Sequence, residues 1–208
     1  MNNVAFFLRS KLTENRFSSS VLGALNSSVV DSALLGSGFF QEDRSYSVSA
    51  KMFSRISRCR NPLELTTVGY YMGGKASYAS FVNGIAAHCC KACVRHTPLR
   101  LRGDKWHAKI FIGKSQGRPI VAAIGSSNLT RRAFDTLKNF NYECDALFWD
   151  GSNSEIASSM AAVLGESAED TMSVVVAKVD EHHPVNRVPL SERLKDLERE
   201  IRNRSVAV

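Results

Sequence analysis

Nowhere in the 208 residues does an apolar run approach the ~20 residues needed to cross a bilayer. The stretch Val4-Ala5-Phe6-Phe7-Leu8 ends at Arg9, too short for the core of an export signal. The chain is therefore expected to be cytoplasmic, with no membrane partner. The five cysteines (Cys59, Cys89, Cys90, Cys93 and Cys144) make an odd number, and without an export signal they are expected as reduced thiols. No internal duplication is found. Acidic residues are nearly absent from the middle of the chain. Between Lys91 and Lys138 eleven lysines and arginines face only Asp104 and Asp135, a net +9, so at a total of +7 the remainder sums to −2. A local positive field of that size suits an anionic partner, although a solvated basic face would read the same way.

What is present is ordinary globular composition, 44% apolar and 23% charged, enough for one domain with a real core. Phe17, Val21, Leu22 and Leu25 fall at helical spacing within residues 14–26. Val29 to Phe40 reads as a buried strand running into a glycine-punctuated loop, and Leu63 to Met72 as a second strand. Gln41 to Arg60 has no clear period. From Ala76 to His96 the stripe Tyr78, Val82, Ile85, Cys89 and Cys93 predicts an amphipathic helix stopped by Pro98. Short strands follow at Leu99–Arg102, Trp106–Ile112 and Ile120–Ile124, with a turn at Ser115–Pro119. A short helix is expected to run through Phe134, then a strand at Tyr142–Trp149, a helix at Glu155–Leu164 and a strand at Val174–Val179. Strands alternating with helices indicate an α/β fold with a mixed, largely parallel sheet flanked by helices. Residues 1–183 would form the main domain. Pro184 and Pro189 bracket a linker, and Leu190, Leu194, Leu197 and Ile201 mark an amphipathic C-terminal helix within 184–208.

The chemistry concentrates in Trp106-His107-Ala108-Lys109-Ile110-Phe111-Ile112-Gly113 and, one hairpin later, Gly125-Ser126-Ser127-Asn128. On a strand, His107 and Lys109 share a face because side chains repeat every two residues. The Gly-Ser-Ser-Asn turn is expected at a helix N-terminus, where free N–H groups attract anions. An imidazole, an ammonium, a carboxamide and a hydroxyl thus converge on a place suited to phosphate, and Glu143 would add a carboxylate from a neighbouring strand. His-x-Lys alone is common, and Gly-Ser-x-Asn alone is an ordinary turn; their combination, with Glu143 fifteen residues after Asn128, is far more specific. The run His88-Cys89-Cys90-Lys91-Ala92-Cys93-Val94-Arg95-His96 contains a Cys-x-x-Cys spacing, but no second ligand pair follows at finger-like distance, so core packing is the preferred reading and no metal is expected.

This arrangement resembles the phospholipase D superfamily, whose motif is His-x-Lys, later Gly-Ser-x-Asn, then a glutamate. The likeness is close over Trp106–Trp149 and looser at Leu34-Leu35-Gly36-Ser37-Gly38-Phe39-Phe40. With one motif copy, the chain is similar to the superfamily's small bacterial endonucleases and to the catalytic part of its metal-independent restriction enzymes. Lys114 departs from the family pattern, which often has aspartate five residues after the lysine. The resemblance implies a metal-independent phosphodiesterase working without a cofactor. His107 would be nucleophile or acid, Lys109 and Asn128 would stabilise phosphate charge, Ser126 would touch the phosphate or Lys109, and Glu143 would orient His107. Ser127, Lys114 and Trp106 are further candidates for substrate contact, Trp106 equally as a core residue. Arg131 and Arg132 either grip flanking phosphates or form an exposed helix face. A single motif implies a homodimer with one shared site. Nucleic acid is the favoured substrate, DNA before RNA, with a place in a restriction or defence system and its partner proteins. A lipid phosphodiesterase and a non-catalytic dimeric nucleic-acid-binding module are the alternatives.

Overall fold

The computed structural model describes residues 1–9, 15–56, 58, 60–69, 74–103, 107–135, 139–165 and 173–208. Its elements in chain order are β1 (Asn3–Arg9), α1 (Arg16–Asn26), β2 (Ser32–Gly36), β3 (Glu42–Asp43), β4 (Tyr46–Ser47), α2 (Val48–Phe53), β5 (Leu63–Gly69), α3 (Lys75–His88) and β6 (Val94–Leu101). They continue with β7 (Lys109–Ser115), β8 (Arg118–Gly125), α4 (Arg131–Phe134), β9 (Glu143–Trp149), α5 (Ser154–Leu164), β10 (Val174–Lys178), a 3-10 turn (Pro184–Asn186), α6 (Leu190–Arg204) and β11 (Ser205–Ala207).

The main sheet runs β10-β1-β9-β8-β7-β2-β5-β6-β11. The fold is α/β with a mixed sheet, as expected, but the expected predominance of parallel pairing is corrected. Only β2–β5 and β5–β6 are parallel, and all other neighbours in this sheet are antiparallel. The cause lies in the connections. Crossovers through α2 and α3 return the chain in the same direction, whereas β7 and β8 are joined by a tight hairpin. Its two central residues, Gln116 at φ 50° and Gly117 at φ 75°, both adopt the left-handed backbone that a primed turn requires.

One face of the sheet carries the larger core. Alternate residues Phe7, Leu35, Phe111, Ala123, Leu147 and Trp149 point into it, where Val21 and Leu25 of α1, Phe81 and Ile85 of α3, and Ile156 and Met160 of α5 cover them. The opposite face is covered in part by α6, whose Leu194 and Ile201 pack on Leu34, Val68, Ile110, Ile112 and Ala122. The segment expected as linker and helix is thus bound into the domain, and β11 extends the sheet by pairing with β6.

Several expectations are revised. The helix expected to reach His96 ends at His88, and Val94–Leu101 forms β6 beside β5. Tyr78 and Ile85 are buried on the helix as the stripe requires, but Val94 and Thr97 are β-formers and strand pairing overrides the continued period. Pro98 is tolerated there because β11 covers β6 only at Leu99–Leu101, leaving Pro98 on an open edge. The N-terminal apolar stretch, considered only as a signal, is β1, paired on both sides and second from one edge of the sheet. The expected strand at Leu63–Met72 is described as far as Gly69, with residues 70–72 outside the described residues. Cys93 is disulfide-bonded, which corrects the expectation of thiols throughout. Cys89 and Cys144 carry free thiols. Cys89 packs against the core, where burial pushes its thiol up to about 11.

A buried ion pair fastens α6 to the sheet. Lys114 Nζ donates to Glu198 Oε1 at 2.7 Å, and Arg202 Nε donates to the same oxygen at 2.8 Å. Removing Glu198 would leave the largely buried Lys114 ammonium without its partner, while Arg202 keeps access to water. Glu198→Ala is expected to lower unfolding stability by about 3 kcal/mol in urea titrations, with Lys114→Met in the same chain restoring part of the loss. Unchanged stability in the single variant would contradict this role.

Candidate active site

The site forms where β7, β8 and β9 reach the same end of the sheet. Lys109 opens β7, Gly125 closes β8, and the register sets Lys109 opposite Gly125 and Gly125 opposite Asp145. All three therefore lie in one row across neighbouring strands. A Cβ at position 125 would overlap the Asp145 carboxylate, so only glycine permits this close approach.

Lys109 is buried, and its Nζ donates to the His107 backbone oxygen at 2.7 Å and meets His107 Nδ1 at 3.3 Å. His107 itself is exposed and precedes the strand, which is described from Lys109 rather than Trp106. An ammonium can only donate, so in this contact Nδ1 accepts. Burial lowers the Lys109 pKa, opposed by the carboxylates of Glu143 and Asp145, which favour the charged form.

The Gly-Ser-Ser-Asn segment is tied down residue by residue. Ser126 Oγ donates to Glu143 Oε2 at 2.5 Å and accepts the Cys144 N–H at 2.9 Å. The second oxygen of Glu143 accepts from Asn141 Nδ2 at 3.2 Å. The described bonds of Ser126 thus run to β9 rather than to Lys109, and those of Glu143 to Ser126 and Asn141. Ser127 is buried, with its N–H and hydroxyl both given to Asp145 at 3.0 and 2.5 Å. Its polar groups are turned inward, away from any substrate. Asn128 Oδ1 accepts from Ser37 Oγ at 3.3 Å, and the same hydroxyl accepts the Leu129 N–H. The Leu34–Phe40 segment is therefore brought against the motif, and Phe40 forms a bridge with Leu129.

The expected helix N-terminus at this turn is corrected. The helix α4 begins at Arg131 and has four residues, with Thr130 as its cap. The first N–H of that helix is already given to Gln41 Oε1 at 2.9 Å. A single turn whose leading donor is used offers little dipole to an anion, so the site's positive charge comes from Lys109 and not from helix geometry. The side chains of Arg131 and Arg132 are exposed beside it. Lys114 is not brought to the site, being committed to Glu198 at the other end of β7. Trp106 lies outside the described residues.

Two residues were passed over by reading the motif. Asp145 is a buried carboxylate whose pKa is raised chiefly by burial, with the Ser127 hydrogen bonds opposing that shift. The two-residue period of a strand beginning at Glu143 would have placed it on the same face. Arg9, from β1, donates to the carbonyls of Arg132, Ala133 and Asp135 at 3.1, 3.0 and 2.6 Å and stacks over Phe140. It braces the segment that follows the motif, a role with no local signal. In the histidine–cysteine run, His96 Nε2 lies 2.8 Å from Thr67 Oγ1, and burial pushes the imidazole down to about 4. Among the described residues no three His, Cys, Asp or Glu side chains gather as metal ligands, and no helix is long and apolar enough to cross a membrane.

No protein-family model and no curated protein matches the chain. Among solved structures it is similar to a variant of yeast tyrosyl-DNA phosphodiesterase, with 14% identity over 69% of this chain and 30% of that one, and a TM-score of 0.38. Polyphosphate kinase from Porphyromonas gingivalis matches with 11% identity over 81% of this chain and 27% of its own, TM-score 0.44. Phosphatidylserine synthase from Haemophilus influenzae Rd KW20 matches with 13% identity over 83% and 39%, TM-score 0.35. The chain spans less than half the length of each.

The buried Asp145 makes stability depend on acid in a definite direction. A carboxyl whose folded pKa is raised keeps its proton longer in the folded protein than in the unfolded chain. It therefore favours folding most at low pH, and this contribution is lost as pH rises from the unfolded value through the folded one. Urea midpoints of wild type and Asp145→Asn, compared from about pH 3 to about pH 7, should show wild type losing ground to the variant as pH rises. The opposite slope would mean that burial does not govern this group.

Proposed function

We propose that the chain is a phosphodiesterase of the phospholipase D type, acting on nucleic acid through a phosphohistidine at a site shared by two subunits. The observation that carries this reading is the pairing of an exposed imidazole with a buried ammonium, His107 with Lys109, at the strand end where the Gly125–Asn128 turn arrives. The likeness of that motif to the superfamily's supplies the reaction.

In the first step the His107 imidazole attacks phosphorus and the bond to the leaving oxygen breaks. The partner's His107 gives that oxygen its proton. The now neutral imidazole takes a proton from water, and the resulting hydroxide displaces the first histidine, returning both rings to their starting state. Lys109 is suited to the negative charge on the non-bridging oxygens, because a partly desolvated ammonium acts more strongly on a transition state than one in water. The Asn128 carboxamide, steadied by Ser37, would assist.

One His107 per chain supplies half of this chemistry, so the active species is a homodimer. A seat for the second copy is available on the sheet face that α6 leaves open. There Ile124 of β8, Ala146 of β9, Phe6 of β1 and Val175 of β10 form a lateral row, with Phe6, Ile124 and Val175 exposed. An exposed apolar row of this kind on a sheet commonly marks an association surface. The net +9 between Lys91 and Lys138 favours a substrate carrying several phosphates.

Cleavage of labelled DNA and RNA in excess chelator tests the reading. Wild type should cleave at least one, His107→Ala should abolish turnover, and Lys109→Ala should lower kcat by about a hundredfold to a thousandfold. Acid quenching during turnover should trap phosphate on His107. Equal cleavage by wild type and His107→Ala would end the proposal.

A further inference from the structure

Beside the candidate site lies a polar groove of about 640 Å³, walled by Arg131 and Arg132, the carboxamides of Gln41, Asn139 and Asn141, and Thr130. It adjoins the site through one hydrogen bond and the chain itself. Asn141 lines the groove and donates to Glu143, which in turn holds Ser126, and Thr130 stands two residues beyond Asn128. Neither arginine forms an ion pair among the described residues, and no carboxylate lines the wall. The backbone of the wall is also hydrogen-bonded from behind. Arg9 grips the carbonyls behind the arginines, Gln41 takes the Arg131 N–H, and the Asn141 N–H bonds the Arg132 carbonyl at 3.0 Å.

Next in the chain to the groove residue Asn141, though not itself part of the groove wall, is Tyr142, 77% exposed, with its ring 5.4 Å from that of Phe140. A large aromatic so exposed gains nothing from the protein's own core. Free cations, carboxamides and an uncovered aromatic ring next to a phosphate-handling site are the three kinds of group that recognise an unpaired nucleotide. The cations take the backbone, the amides take base edges, and the ring stacks on a base. A phospholipid would bring acyl chains to this place, and the groove has no apolar wall to receive them. A duplex would keep its base edges paired and its faces stacked, out of reach of Asn139 and Tyr142.

We propose that this groove and Tyr142 bind the nucleotides adjoining the scissile phosphate of a single-stranded nucleic acid. The inference rests on the phosphodiesterase reading for its placement, and binding, which needs no turnover, tests it separately. The probe is a fluorescein-labelled 12-mer DNA, presented to the full chain as a single strand, as a duplex, and as an abasic strand of equal length. Fluorescence anisotropy at low salt should show the single strand bound at least tenfold tighter than the duplex or the abasic strand. Tyr142→Ala should weaken single-strand binding by about tenfold, and the double variant R131A/R132A should weaken it and flatten its dependence on salt. Asn139→Ala, at an exposed position, serves as a second probe should the double variant fail to fold, and should also weaken binding. Equal affinity for single strand and duplex, wild-type affinity in Tyr142→Ala, or displacement of the strand by phosphatidylglycerol vesicles at matched phosphate would overturn the proposal. Loss of cleavage dependence on His107 with the binding pattern intact would overturn the catalytic reading and leave this one standing.

Discussion

A buried ammonium at the start of β7 and a buried carboxylate two strands away, separated by a glycine that admits no side chain, set the terms for the whole site. Both charged groups are costly away from water, and each is retained by its surroundings in a different way. Lys109 donates a hydrogen bond to the His107 carbonyl and feels the carboxylates of Glu143 and Asp145. Asp145 takes both polar hydrogens of Ser127. The sheet register that produces this row is enforced by the core behind it, since slipping β7 or β9 by one residue would turn Phe111 or Leu147 out of the interior.

Around that row the polar residues divide into those that are buried and those that stay exposed. Ser126 and Ser127 are adjacent in sequence and both bond carboxylates of β9, one Glu143 and the other Asp145, and together they hold the turn. Ser127 and Asp145 are buried, whereas His107, Ser126 and the two arginines are exposed and Asn128 and Glu143 half-buried. The turn is thereby rigid where it is buried and chemically open where it is not, the division a preorganised site requires.

The far end of the same strands has a separate task. Lys114 lies on β7 with Lys109, but there it meets Glu198 and fastens α6 over the second core. Two lysines five residues apart on one strand thus do unrelated work, and residue type alone does not distinguish them. The deciding fact is which element covers each end of the sheet.

Local chemistry made much of this legible beforehand. The Ser115–Pro119 turn, the helices at α1 and α5, the strands β7, β8 and β9, and the convergence of His107, Lys109 and the Gly125–Asn128 turn follow from short-range period, glycine and spacing. The open sequence pattern could not show that β1 inserts between β9 and β10, that β6 replaces the end of a helix, or that most strand pairs run antiparallel. Those outcomes depend on which apolar faces meet, a long-range matter that no window of residues contains. Nor could it show the partners of Ser127, Lys114 or Arg9, because a side chain's hydrogen bonds are chosen by whatever neighbour the tertiary packing places within reach. Spacing along the chain determined which groups arrive at the strand ends; the register between strands decided which of them are buried and which stay exposed.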